Sequence, residues 1–408
     1  MILLMTLDFS DKDVIDFELE AVISKFKKRF NCHPDFVSIA PGRVNLIGGH
    51  VDYNGGLVLP LAVDRHTCVA GAKGDEAGVL VVHSVRENES FVVDLDCPMI
   101  AARPNWTNYV RGVVHGFLSR GIELPGLKIL IDSTIPSGSG LSSSASLEVA
   151  TAGILEVASG VTLKGNKKPR LCQQAEHEFA NVPCGIMDQF AVTFAQRGCM
   201  LLLDCRDESI EHVPFDHDQL ALVVINSHVR HELSESEYAN RHQRCETVST
   251  ELGLESLRDL TWSMLDRSRG QFDELSFLCA EHVLRENERT LKFVQHMKNE
   301  DWSQAGEMLY QSHVSLSEKF QVSCAELDEL VAGARKLGPE EGVLGARMTG
   351  AGFGGSVIVL AEREKASDVV SRVVEDYNRL GVPLSRPRAS GFVAKPAGGA
   401  RVIKFVAD

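Results

Sequence analysis

Residues 127–158 read LKILIDSTIPSGSGLSSSASLEVATAGILEVA. LKILIDS has the unbroken apolar character of a buried strand, and LEVATAGILEVA repeats apolar residues at helical spacing. Between them, residues 136–146 (PSGSGLSSSAS) are almost all glycine and serine. The segment therefore predicts a strand, a Gly/Ser loop and a helix. Small residues let the main chain approach a ligand, free N–H groups at a helix start carry partial positive charge, and serine hydroxyls add donors, so the loop suits a phosphate. It equally suits a flexible turn with serine caps. No GK[ST] follows and the loop holds no lysine, so it is not a Walker A sequence.

Working outward, the chain has 408 residues, beyond the size at which one hydrophobic core keeps growing, and predicts two domains. Its 44% hydrophobic and 24% charged content is that of a globular protein. A formal charge of -14 argues against nucleic-acid binding, so any anionic ligand needs a local device to hold it. The ten cysteines form no CxxC pair and no zinc-site spacing, which fits reduced thiols. The start carries no secretory signal pattern, and no run of about 18 apolar residues occurs. The expected location is cytoplasmic.

Apolar spacing predicts a helix over 12–30, then a strand FVSIA leading into PGRVNLIGGHVDYNGG at 41–56. Strand-like runs occupy 57–94, a helix 105–119, and a helical stretch 171–197 that breaks near Pro183–Gly185. Strands return at 199–226, helices dominate 232–337, and MTGAGFGG leads into the strand SVIVLAE before a helix at 366–380. The domain boundary is drawn at 213/214, giving units 1–213 and 214–408.

Gly350, Gly352 and Gly355 satisfy GxGxxG, yet a strand follows where a dinucleotide fold needs a helix. What remains is a glycine turn for close backbone approach, to a ligand or to another segment. In AEHEFANVPCGIMDQF, Glu176, Glu178 and Asp188 fit a metal ligand and a base, or routine partners of a helix dipole. In HVRHELSESEY, His228 and His231 have metal-like spacing without a third ligand, and two surface histidines are the plainer reading. Arg230 and Tyr238 are polar-tipped groups suited to a ligand or to the surface.

In this order and spacing, APGRVNLIGGHVDYNGGLVLP, IPSGSGLSSSAS, PCGIMDQF, HVRHELSESEY and MTGAGFGGS resemble the galactokinase branch of the GHMP small-molecule kinases, from about residue 36 to 404. The resemblance implies an α+β protein of two-domain GHMP kinase architecture. An N-terminal α/β domain with a left-handed βαβ element would join a ferredoxin-like C-terminal domain, with the active site between them. It also implies ATP, Mg²⁺ and phosphoryl transfer to the anomeric O1 of a hexose. By motif match, Ser137, Gly138, Ser139, Gly140, Leu141, Ser142, Ser143 and Ser144 wrap the phosphates, Ser144 and Glu176 hold the magnesium, and Trp106 and Arg230 reach the nucleotide. Arg43 and Asp188 are the catalytic pair; Gly49, His50, Asp52, Gly185 and Tyr238 join them around the sugar.

The chain departs from that pattern at one position, with Gly49 where the branch has the glutamate of GEH, a residue associated there with the sugar's C6 hydroxyl. Galactose is the expected substrate; a C6-altered sugar such as galacturonate or L-arabinose is the alternative, and a non-catalytic sugar and ATP sensor a third reading. The expected partners are small molecules, without nucleic acid or membrane.

Overall fold

The computed structural model describes residues 12–136, 138–215, 218–230, 234–379 and 387–405. The strands among them are β1 (Phe36–Asn45), β2 (Leu57–Val58), β3 (Pro60–Lys73), β4 (Val79–Ser84), β5 (Glu89–Asp94), β6 (Leu127–Ser133), β7 (Cys199–Asp204), β8 (Ile210–Pro214), β9 (Leu220–Arg230), β10 (Val343–Thr349), β11 (Gly354–Glu362), β12 (Ser390–Ala394) and β13 (Arg401–Lys404). The helices are α1 (Lys12–Phe30), α2 (Thr107–Leu118), α3 (Ser143–Ser159), α4 (Lys167–Ala175), α5 (Met187–Phe194), α6 (Ser234–Glu251), α7 (Trp262–Arg267), α8 (Glu274–Lys298), α9 (Trp302–Val314), α10 (Ala325–Leu337) and α11 (Ala366–Arg379).

The first sheet runs β13-β1-β3-β6-β4-β5 and is antiparallel except for the β4–β6 pair. Side chains alternate across it with period two. Val37 and Ile39 of β1 pack with Leu19, Val22 and Phe26 of α1. Phe36 and Ala40 face the other way, onto α2 and α3. Between them Ser38 takes the α3 side, where Gly153 is bare because a Cβ there would stand 2.5 Å from the Ser38 hydroxyl. Burial on both faces explains why these strands read as continuous apolar runs.

The second sheet, β10-β11-β9-β12, shows the same alternation. Val223, Ile225, Val357 and Val359 face Leu327 and Leu330 of α10 and Val369 and Val373 of α11. Leu222, Val224, Ile358 and Leu360 face Phe293 of α8 and Leu309 of α9, in a core that also takes Val44, Leu46 and Leu61 from the first half. That shared core fixes the two halves against each other. A small third sheet, β2-β7-β8, lies beside the first.

One expectation changes. Residues 41–45 do not follow the strand but belong to β1, which passes through Pro41 and Gly42 by a shift of register against β3; an irregularity of this kind is where a strand tolerates proline. Near the end of the described chain β13 returns to pair with β1 and closes an edge that would otherwise be left open.

Candidate active site

A cavity of about 480 Å³ opens between the two halves. Arg43 sits on its wall, 5% exposed, near the end of β1. Its Nε donates to Asp188 Oδ1 at 2.7 Å, its Nη2 to Oδ2 at 2.5 Å, and its Nη1 to the Gly140 carbonyl at 2.6 Å. Asp188 projects from the first turn of α5 and also accepts the Ser142 hydroxyl at 2.5 Å. One arginine thus ties a carboxylate from the third motif to the Gly/Ser loop of the second. The planar guanidinium fork matches the carboxylate in a way lysine does not.

The Gly/Ser loop turns through positive φ at Gly138, Gly140 and Ser142 and enters α3 at Ser143. Gly138 and the residues from Gly140 to Ser144 line the cavity. Ser139 does not: it is buried, and its hydroxyl donates to the Pro136 carbonyl at 2.7 Å. Ser137 lies outside the described residues. The second glycine loop braces the first, with Ser356 Oγ donating to the Ser139 carbonyl at 2.6 Å. Residues 349–355 also line the cavity, so the glycine turn both contacts the first loop and faces the cavity.

The Ser144 hydroxyl lies close enough to the Glu176 carboxylate to favour its ionised form, and that carboxylate accepts Gln189 Nε2 at 2.8 Å. Burial first, and Asp188 second, push the Glu176 carboxyl up to about 7. A hydroxyl and a carboxylate are hard oxygen donors, and together with phosphate oxygens they fit magnesium. Glu178 turns away, accepting Gln174 Nε2 at 2.7 Å.

Among the residues expected around the sugar, Asp52 lies against Gly185, where a Cβ would fall 2.0 Å from Asp52 Oδ2. Burial, then the charge of Asp188, raises the Asp52 carboxyl to about 7. Tyr238 lines the same wall, its ring 5.5 Å from that of His50. His50 lines the cavity too, but both its ring nitrogens are engaged: Nε2 donates to the Ala351 carbonyl at 3.1 Å and Nδ1 accepts the Tyr53 hydroxyl at 2.9 Å. Burial lowers its pKa to about 3, so the ring is neutral.

Gly48 and Gly49 donate their N–H groups to one oxygen of the buried Glu286 at 3.0 and 3.1 Å, and His282 Nε2 donates to the Gly49 carbonyl at 2.9 Å. A Cβ on Gly49 would stand 2.6 Å from Nη2 of Arg347, so a guanidinium occupies the space next to the missing side chain. Trp106 lines the far end, its Nε1 donating to Glu89 at 3.0 Å, with Arg86 and Tyr109 nearby. Arg230 ends β9 opposite Gly354, and its side chain is outside the described part of the structure. His228 Nε2 pairs with Ser390 Oγ at 2.7 Å, and His231 lies outside the described residues.

The sequence reading missed Arg86, Glu286 and Arg347. Arg86 is a lone arginine in the turn between β4 and β5, where nothing marks it. The one signal for Glu286 was a carboxylate on the apolar face of α8.

The fold and site define a GHMP kinase: the N-terminal domain signature of that superfamily matches residues 108–196 and its C-terminal signature residues 293–379. A solved mevalonate kinase shares the fold at a TM-score of 0.60 and 19% identity, over 88% of this chain and 98% of its own. The galactokinase galactose-binding signature matches residues 24–73. The galactokinase of Bos taurus is 38% identical over 387 residues, 93% of this chain and 95% of the relative, and that of Thermotoga maritima 40% identical, over 85% and 95%. The structure of Lactococcus lactis galactokinase complexed with galactose superposes at a TM-score of 0.87 with 32% identity, over 94% of this chain and 99% of its own. The chain belongs to the galactokinase family, as a sugar 1-kinase of two-domain α+β architecture. Among the described residues no helix is long and apolar enough to cross a membrane.

Proposed function

We propose that the protein transfers the γ-phosphoryl group of ATP to O1 of galactose, giving galactose 1-phosphate and ADP. The observation that carries this reading is the Arg43–Asp188 clamp, tied by Gly140 and Ser142 to the Gly/Ser loop. Phosphoryl transfer asks a protein for alignment and for neutralisation of charge on the equatorial oxygens. The N–H groups at the start of α3 hold the phosphates, and Arg43, fixed by its bond to Gly140, puts positive charge beside the transferring group. Asp188 has room for about four hydrogen bonds, and three are filled by Arg43 and Ser142. The remaining acceptor position orients the O1 hydroxyl toward the phosphorus and takes its proton.

Asp52, Tyr238 and the Gly185 backbone line the sugar side, while His50 shapes the wall through its ring. Ser144 and Glu176 are the residues that would hold magnesium, which when bound offsets phosphate charge. Trp106 lies where it lines the adenine end. With the domains divided at 213/214, this chemistry falls on the seam between the halves.

ADP release over galactose, galacturonate, L-arabinose, N-acetylgalactosamine and glucose tests the reading. Galactose should lead, and a flat response across the panel removes the kinase. Replacing Asp188 by Asn should lower kcat by about 10²- to 10⁴-fold while galactose still binds. Near-normal turnover would contradict the role given to Asp188.

A further inference from the structure

A second cavity, of about 390 Å³, lies outside the active site among α8, α9 and α10. In a chain of net charge -14, its lining includes Arg285, Arg289, Lys319 and Arg335, with Glu307 as the acid among them. Glu281 pairs with Arg285 at 2.8 Å and with Lys319 at 2.5 Å. Arg335 lies over the Tyr310 ring, 4.8 Å from its centroid. Arg289 is 9% exposed and uses its Nε on Glu286 at 2.9 Å, while its buried Nη2 has no partner. Arg289 belongs to the cavity wall, and its unsatisfied Nη2 just behind that wall adds to a positive potential that suits an anion.

The floor of this cavity is wired to the sugar loop by two routes. Arg289 holds Glu286, whose other oxygen receives the N–H groups of Gly48 and Gly49. Ser315, also on the cavity wall, donates to Nδ1 of the buried, neutral His282, whose Nε2 donates to the Gly49 carbonyl. Both polar faces of the same dipeptide are thus held by buried groups that contact residues of the second cavity.

We propose that this cavity binds a phosphate-bearing small molecule, and that its occupancy alters sugar binding through Gly48 and Gly49. Arginine forks with an added lysine suit phosphate oxygens. An anion at Arg289 competes with Glu286 for the guanidinium and loosens the grip on the loop.

The experiment uses the full chain with its nucleotide site filled by a non-hydrolysable ATP analogue and magnesium, titrated calorimetrically with inorganic phosphate and, separately, galactose 1-phosphate. The double variant Arg335→Gln, Lys319→Gln touches neither sugar nor nucleotide and should keep kcat in the absence of the probe. Its affinity for the probe should fall at least about tenfold, and Arg335→Lys with Lys319→Arg should restore it. At saturating ATP the galactose KM of the natural chain should rise about fivefold with the probe and stay flat in the double variant. Tighter binding of galactose 1-phosphate assigns the site to product; tighter binding of phosphate assigns it to the free ion. Equal binding in natural and variant proteins, or no binding of either probe, overturns the site, and binding without a change in KM overturns the coupling. The KM measurement rests on the galactose reading, whereas the calorimetry does not, so the two fail separately.

Discussion

Gly350 and Gly140 meet backbone to backbone: a Cβ on Gly350 would stand 3.1 Å from the Gly140 Cα and 3.1 Å from its carbonyl oxygen. That oxygen is the one held by Arg43. Gly350 also has φ +81°, a conformation side chains resist. Gly350→Ala should therefore shift the Gly/Ser loop and weaken the hold on both ATP and Arg43. We expect the KM for ATP to rise roughly tenfold, about 1.4 kcal/mol, with kcat falling too. Steady-state kinetics with ATP as the varied substrate reads both, and an unchanged KM would show that the loop yields without cost.

Asp52 makes the ligand-free protein sensitive to pH. Its carboxyl sits at about 7 in the fold against 3.8 for the free group, so between those values the folded chain keeps a proton that the unfolded chain has lost. The stability Asp52 contributes is full below about 4 and is lost as pH rises to about 7. Asp52→Asn removes this dependence. Its melting temperature should exceed that of the natural chain at pH 8, by on the order of 1 kcal/mol or more in stability, and the gap should shrink by pH 5. A gap that is the same at both pH values would mean that Asp52 titrates normally.

Gly185 has no side chain because Asp52 fills the space. A methyl there would fall 2.0 Å from Asp52 Oδ2, so Gly185→Ala must displace that carboxylate. The galactose KM should rise by about tenfold or more while the KM for ATP holds, since a lost charged hydrogen bond costs roughly 1.5–3 kcal/mol. Equal rises in both constants would point to general distortion.

Gly49 faces a cation. Glutamate introduced there meets Arg347, whose Nε is buried without a partner, whereas lysine brings a like charge to the same place. Denaturant unfolding should rank Gly49→Glu above Gly49→Lys by on the order of 2 kcal/mol. Because the new carboxylate settles on Arg347, the preference for galactose over galacturonate should change little in Gly49→Glu. A large swing would instead show that residue 49 reaches the sugar directly.

Local order was readable from the residues alone. The unbroken apolar run of β9, the helical period of α3 and the glycine punctuation around 138–140 and 350–355 are properties of neighbouring positions, and the elements formed where those patterns place them. Arg43 and Asp188 were legible because each lies in a dense motif. Glu286 was not, since its partners Gly48 and Gly49 lie 238 and 237 residues away and no local spacing marks such a contact. His50 was legible as a cavity residue, but the commitment of both its nitrogens depends on Tyr53 and on Ala351, 301 residues downstream. The space beside Gly49 was hidden for the same reason: Arg347 arrives there only when the two halves close.

The pairing of β13 with β1 has a bearing on how the protein is made. The outer edge of the first sheet receives its partner only after both glycine loops and all of the second sheet have been synthesised. At ordinary translation speeds that wait is roughly tens of seconds. Throughout it the nascent chain carries an unzipped, apolar margin on the ribosome, open to chaperones or to a neighbouring copy.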